Sequence, residues 1–483
     1  MGLVLKYLAK TAAVLLAMST TASAEILWGV NGHPFAAYPG IDFGDQIDYL
    51  ADLGMKSYRV DISGLDAADR LAALVAEGKK RGVEILPVIT PNNLDFDKDT
   101  SEQLFEKTRS LANALGTRFK ADIRVWELGN EMETYAIIQP CEMRDDGTKY
   151  PCGWGPAGGV DPLQYYGPRW AKVSAVLKGL SVGMTEADPT IRKAMGTAGW
   201  GHVGAFERMQ NDGIEWDISV WHMYGEDPEW AFERLARYNR PIWVTEFNNP
   251  LGSQSSEQLQ ARGLERAMSR LKQLEKKYRV EAAHIYELLD EPYWAPSFEA
   301  SMGLVRMVGS SESGWSLGEP KPAYTTAREF TRGARVLPKP RRDCSLAEIK
   351  AIEPLPLRQS NFAYCLMLGR TDDAEAIARS AAAIDAGEVS VFGLLLTLYK
   401  SDEFRGLYST FGLSDRAYVS FLYRLLVDRD ADGGGLDSYA AQLRSGSLRR
   451  DNIVHGMTTS SEFAAKYVDF LKAPRSAISP PPG

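Results

Sequence analysis

From about residue 26 to about residue 330 the chain alternates short apolar, β-branched runs with longer amphipathic stretches. Parallel sheets assembled from βα units write this pattern into a sequence, because their strands are covered on both faces and their helices on one. The apolar runs number eight: residues 27–31, 57–61, 83–89, 123–128, 193–196, 218–222, 242–245 and 282–286. Between them lie stretches rich in Ala, Leu, Glu, Lys and Arg, such as 66–80, 101–115 and 257–278, which the spacing predicts to be helical. Eight repeats predict an α/β fold with one closed (β/α)8 TIM barrel over residues 25–335, lengthened beyond the usual ~250 residues by an insertion after the fourth run. An open doubly wound sheet is the structural alternative, but no Gly-rich phosphate-binding turn follows the first run.

The pattern then changes. Val336-Leu337-Pro338-Lys339-Pro340-Arg341-Arg342 is Pro-rich and basic, so residues 336–345 read as a linker. Beyond it, residues 346–472 predict a small all-α C-terminal domain with an internal repeat. Phe362-Ala363-Tyr364 recurs as Phe421-Leu422-Tyr423, Gly387 as Gly446, and Ser401-Asp402-Glu403-Phe404 as Ser460-Ser461-Glu462-Phe463, all at one offset, which defines two copies at about 360–405 and 419–464. The tail 473–483, ending in Pro480-Pro481-Pro482-Gly483, is expected to be disordered.

Composition narrows the function classes. A chain of 483 residues, 45% hydrophobic and 24% charged, buries a large core. The first 24 residues carry Lys6 and Lys10, an apolar stretch and the small-residue pattern Ala22-Ser23-Ala24, which reads as a cleavable signal peptide and places the protein outside the cell or in the periplasm. The apolar stretch is far short of the ~20 residues that cross a bilayer, so no membrane span is expected. Loss of those two lysines takes the formal charge from −8 to −10, which opposes binding to nucleic acid. The four cysteines fall as sequence-local pairs, Cys141 with Cys152 and Cys344 with Cys365, and an exported chain is expected to bridge both.

No metal or cofactor is assigned. His33, His202, His284 and His455 stand alone in sequence without ligand spacing. Asp428-Arg429-Asp430-Ala431-Asp432-Gly433 imitates the start of a calcium loop, but the twelfth position is Tyr439 where a bidentate Glu is needed.

Two acidic residues close strand candidates. Glu131 stands in Trp126-Glu127-Leu128-Gly129-Asn130-Glu131-Met132-Glu133, after the fourth run, and Glu246 in Ile242-Trp243-Val244-Thr245-Glu246-Phe247, at the end of the seventh. Barrel enzymes place their chemistry at this rim, and hydrolysis of a glycosidic bond with retention requires one carboxylic acid and one carboxylate ~5–5.5 Å apart. Glu127 and Glu133 compete for the first role; Glu127 lies within the strand and is expected to be structural, and Glu133 to lie beyond the rim.

Over residues 26–330 the chain resembles the clan-A glycoside hydrolases, retaining (β/α)8 enzymes with an Asn-Glu acid/base after strand 4 and a nucleophilic Glu ending strand 7. The resemblance makes Glu131 the acid/base, Glu246 the nucleophile and Asn130 the residue that binds the sugar 2-hydroxyl. It matches Arg59 to the Arg that keeps the nucleophile ionised, and His222 with Tyr224 to a His-x-Tyr pair near it. Strand 8 departs from the group's pattern of a terminal Trp: here Tyr286 or Trp294 is the candidate stacking face and Glu287 a candidate ligand of a sugar hydroxyl. The insertion 135–159, stapled by Cys141 and Cys152, is placed to wall a cleft or to serve as a plain surface loop. The repeated C-terminal unit is similar to phycobilisome linker domains and implies contact with a protein or glycan partner. Together these readings imply an exported enzyme hydrolysing β-glycosidic bonds of a polysaccharide, a bacterial exopolysaccharide or β-glucan, without cofactor. A non-catalytic glycan-binding or assembly protein, or a transglycosylase, is the alternative.

Overall fold

The structure, a computed structural model, describes residues 25–35, 38, 40–333, 337–445 and 447–471. The expected signal peptide at 1–24, the first residue of the expected linker and the tail at 473–483 lie outside the described residues. Eight strands, β1 (Leu27–Gly32), β2 (Ser57–Ile62), β3 (Glu84–Ile89), β4 (Val125–Leu128), β5 (Arg192–Thr197), β6 (Ile218–Met223), β7 (Ile242–Phe247) and β8 (Val280–Ile285), follow one another in order. Every neighbouring pair is parallel, and β8 returns to β1 with Leu27 opposite Ala282 and Val30 opposite Ile285, so the sheet is a closed barrel and the open-sheet alternative falls. Each strand carries apolar residues on both faces because one face fills the barrel and the other meets the helices.

The helices obey the amphipathic pattern. Ala68–Arg81 buries Leu71, Leu74 and Val75 against the barrel and turns its basic last turn outward. Ser101–Phe119 starts with a capping box in which Thr100 and Gln103 satisfy each other's backbone N–H groups. It packs closely on Gly167–Ala187: a Cβ on Gly179 would come within 2.2 Å of Thr108 Oγ1, so only glycine permits the approach. A two-stranded antiparallel hairpin, β9 (Val305–Ser310) with β10 (Gly314–Pro320), follows the barrel strands and is an element the period-2 pattern does not reveal.

Residues 346–471 are helical throughout their regular elements and have a hydrophobic core of their own around Leu355–Leu368, a helix buried on nearly all faces. Both disulfides are formed, Cys141 with Cys152 and Cys344 with Cys365, the second tying the preceding segment to that helix. The 59-residue offset is physical: Arg370 pairs bidentately with Glu403 at 2.5 and 2.7 Å, and Arg429 with Glu462 at 2.5 and 2.9 Å. Ser401 and Ser460 cap the following helices in the same way. Asp432 caps the helix Gly433–Arg444 and Asp430 pairs with Arg424, so the calcium-like acids are used internally. This region docks on the barrel helix Phe43–Leu53 through Arg405 with Asp48, Ser409 with Asp52, and the rings of Phe411 and Tyr49.

Candidate active site

At the C-terminal rim the barrel interior is polar. Asn31 on β1 pairs in register with Arg59 on β2, and His222 on β6 with Glu246 on β7, so these four side chains stand at one level. The Arg59 guanidinium, 3% exposed, is the hub: it donates to Glu127 twice at 2.7 Å, to Glu246 at 2.9 Å, and to the side-chain oxygens of Asn31 and Asn130 at 2.8 Å. A buried cation is tolerable only when so paired. Asn31 is itself held by its amide donating to the Thr245 carbonyl at 2.8 Å.

Glu246 is buried and fully oriented. One carboxylate oxygen accepts from Arg59; the other accepts from the Tyr224 hydroxyl at 2.7 Å and lies 3.4 Å from His222 Nδ1. Glu131 follows Gly129, whose φ is +80°, and itself adopts a left-handed φ of +49°, which costs a non-glycine residue on the order of 1–2 kcal/mol. The turn aims the Glu131 carboxylate back over the rim, where His222 Nδ1 lies 2.7 Å from it. One oxygen each of Glu131 and Glu246, with the imidazole between them, fall within 4.8 Å of one another. The two residues are 115 positions apart in sequence and meet at one mouth.

The electrostatics of Glu131 and His222 run in opposite directions. Burial pushes the Glu131 carboxyl up, but the hydrogen bond and charge of His222, with Arg59 behind it, outweigh this and leave it below the ordinary carboxylate range. Burial pushes His222 down, and the Glu246 charge together with the Glu131 hydrogen bond more than reverse it, so the imidazole is held above its usual value. The opposed shifts favour the pairing of an ionised Glu131 with a protonated His222.

The structure separates the remaining candidates. Asn130 uses its side-chain oxygen on Arg59, and its amide nitrogen has no protein partner among the described residues. Tyr286 lies beside Tyr224 and His33, with ring centroids 6.3 and 5.7 Å away. Trp294 is 56% exposed and, with Tyr286, His33, Asp61, Glu291 and Glu299, lines an open cleft of about 660 Å³, a size that suits a sugar-sized ligand. Glu287 does not face that cleft: it is fully buried and accepts from the Tyr38 hydroxyl at 2.8 Å. Glu127 is structural in that it clamps Arg59. Glu133 departs from its expected place beyond the rim: the short turn Met132–Ala136 folds it inward, 2% exposed, where it accepts from the Ala198 N–H at 2.8 Å and pairs with His202.

Asn31, Asp61 and Glu299 belong to this mouth without a motif that marks them in sequence, and His33, isolated in sequence, joins them. Asn31 was findable, since it ends the first apolar run at the level at which Arg59 ends the second. Among the described residues two trios bring ligand-type atoms within 4.8 Å: Glu131, His222 and Glu246, and separately His33, Glu287 and Glu291. In the first trio the atoms are engaged with one another, with Tyr224 and with a guanidinium whose charge opposes a metal cation.

Comparison with known proteins adds the following. A family model described as a domain of unknown function (DUF4214) matches residues 395–467, which span the second copy of the repeat and the end of the first. No curated protein matches the chain. Solved structures with similar architecture include a family 1 β-glucosidase from Thermotoga maritima, 12% identical over 64% of this chain and 98% of the other at a TM-score of 0.45. The β-glycosidase BGL167 is 15% identical over 65% and 98% at 0.44, and a GH53 catalytic domain from Ignisphaera aggregans 15% identical over 64% and 97% at 0.42. No helix among the described residues is long and apolar enough to cross a membrane.

Proposed function

We propose that the protein is a retaining glycoside hydrolase that cleaves β-glycosidic bonds of a polysaccharide by double displacement. The observation that carries this reading is that one oxygen each of Glu131 and Glu246 lie within 4.8 Å of each other at the ends of β4 and β7, close enough for the ~5–5.5 Å carboxyl separation of a covalent glycosyl-enzyme route. Glu246 attacks the anomeric carbon; the C–O bond breaks and the leaving oxygen takes a proton from Glu131. Glu131 then accepts a proton from water, whose oxygen displaces Glu246. Arg59 and Tyr224 fix the nucleophile, and His222 supplies the resting proton across its short contact with Glu131. Asn130, with its free amide nitrogen, suits a sugar hydroxyl, and the open cleft past Tyr286 and Trp294 suits a chain of sugars.

Export to the periplasm or beyond is consistent with two bridged cysteine pairs. The barrel, residues 25–335, then carries the chemistry, and the helical domain 346–472 a contact with a protein or glycan partner. Incubating the wild type and Glu246→Gln with β-glucans and bacterial exopolysaccharides tests the reading: product is expected from the wild type alone, and equal product from both proteins ends it. Trapping with a 2-fluoro glycoside followed by peptide mapping is expected to label Glu246.

A further inference from the structure

We propose that His33, Glu287 and Glu291 form a divalent metal site, with Zn²⁺ as its preferred ion, beside but distinct from the carboxylate pair. His33 stands just past the end of β1, and Glu287 and Glu291 stand in the segment after β8, so only closure of the barrel brings them together. Among the described residues, His33 Nε2, Glu287 Oε1 and Glu291 Oε1 are shielded from solvent and have no hydrogen-bond partner. The same three residues offer ligand atoms within 4.8 Å of one another. Glu287 is fully buried and Glu291 is 4% exposed, so the vacant capacity belongs to side chains that solvent does not satisfy. Buried polar atoms without partners, on three residues whose ligand atoms come this close, call for an ion or a water beside them.

The opposite atom of each residue is already held. His33 Nδ1 bonds to Asp61 at 2.7 Å, the carboxylate–imidazole arrangement that orients metal-bound histidines. Glu287 Oε2 accepts from Tyr38 at 2.8 Å and is 3.5 Å from His33 Nε2. The side chains of Tyr293 and Trp294 reach the Glu291 carboxyl group. Shielding argues against a sugar hydroxyl at this point, whereas an ion that binds at about 2.0–2.2 Å needs no water-sized opening. One imidazole and two carboxylates suit Zn²⁺, while Ca²⁺ seeks an all-oxygen shell. The open cleft lined by His33 and Glu291 gives an entry path. The ion would pin the segment carrying Tyr286, Trp294 and Glu299 to the end of β1.

The test is calorimetric titration of Zn²⁺ into the full chain after dialysis against a chelator, with no substrate present, so its outcome is separate from the glycosidase reading. One equivalent is expected to bind and to raise the thermal midpoint. Asp61→Asn is expected to weaken binding about 10- to 100-fold and Glu291→Gln by more, with unchanged far-UV circular dichroism as the check on folding. Glu246→Gln is expected to bind as the wild type does. No binding by the wild type would leave a buried water as the occupant and overturn the proposal. Binding untouched by both Asp61→Asn and Glu291→Gln, or lost in Glu246→Gln alone, would move the ion elsewhere and overturn it equally.

Discussion

The Arg59 guanidinium and the Glu127 carboxylate are joined by two parallel hydrogen bonds of 2.7 Å inside the barrel. Glu127 is not placed to touch a substrate; it fixes the cation on which Glu246 depends. Bidentate pairs of this kind combine direction with charge. Replacing Glu127 by Gln leaves Arg59 with one charged partner on its hydrogen-bonded edge, and breaking a buried pair costs about 3–5 kcal/mol. Urea unfolding of Glu127→Gln is expected to show a loss of that size; a change under about 1 kcal/mol would contradict the role given to the pair.

His222 and Glu131 predict a pH dependence with a definite sign. Glu131 is lowered from 4.5, so its contribution to stability is complete above that value and is lost as pH falls through its folded value. His222 is raised from 6.5, so its contribution is complete below 6.5 and is lost as pH rises through its folded value. Together they favour the folded state most between about pH 4.5 and 6.5. Thermal midpoints measured across pH are expected to fall on both sides of that window more steeply for wild type than for His222→Gln.

The same pair governs the alkaline side of activity. On the proposed mechanism the proton destined for the leaving oxygen is shared with the imidazole, whose raised value holds it; without His222 it resides on Glu131 alone. The alkaline limb of the kcat/KM profile is expected to move to lower pH in His222→Gln. An unmoved limb would mean the imidazole takes no part in holding that proton.

On the proposed mechanism, loss of Glu131 separates leaving groups. Glu131→Ala is expected to lose about 10²–10⁴-fold in kcat/KM on a polysaccharide, which needs protonation to depart, and far less on an activated aryl glycoside. Equal losses on both substrates, measured side by side, would remove Glu131 from that role.

Tyr224 donates to Glu246 at 2.7 Å. Burial, with the neighbouring Glu246 charge, holds its hydroxyl well above the usual phenol range, so it stays a donor at every working pH. A hydrogen bond to a charged group contributes about 1.5–3 kcal/mol, so steady-state kinetics of Tyr224→Phe should show a fall of roughly 10- to 100-fold in kcat/KM.

Much of this molecule follows from local pattern. Period-2 and period-3.6 runs are backbone properties, so the eight strands, most of the helices and the 59-residue repeat are readable one segment at a time; the antiparallel hairpin β9–β10 is short and half-exposed and lies outside the eight-fold βα pattern. Glu131 and Glu246 are visible because each ends an apolar run, and the register of adjacent strands then places Arg59 and His222 near them. Pattern does not report which side chains share a dielectric cavity. The opposed shifts of His222 and Glu131, the inward turn of Glu133 and the meeting of His33 with Glu287 and Glu291 all depend on barrel closure, which sets distances of a few ångströms between residues up to 258 positions apart. Charge and hydrogen-bond energies vary on that length scale, so the roles of these groups were decided by the folded arrangement.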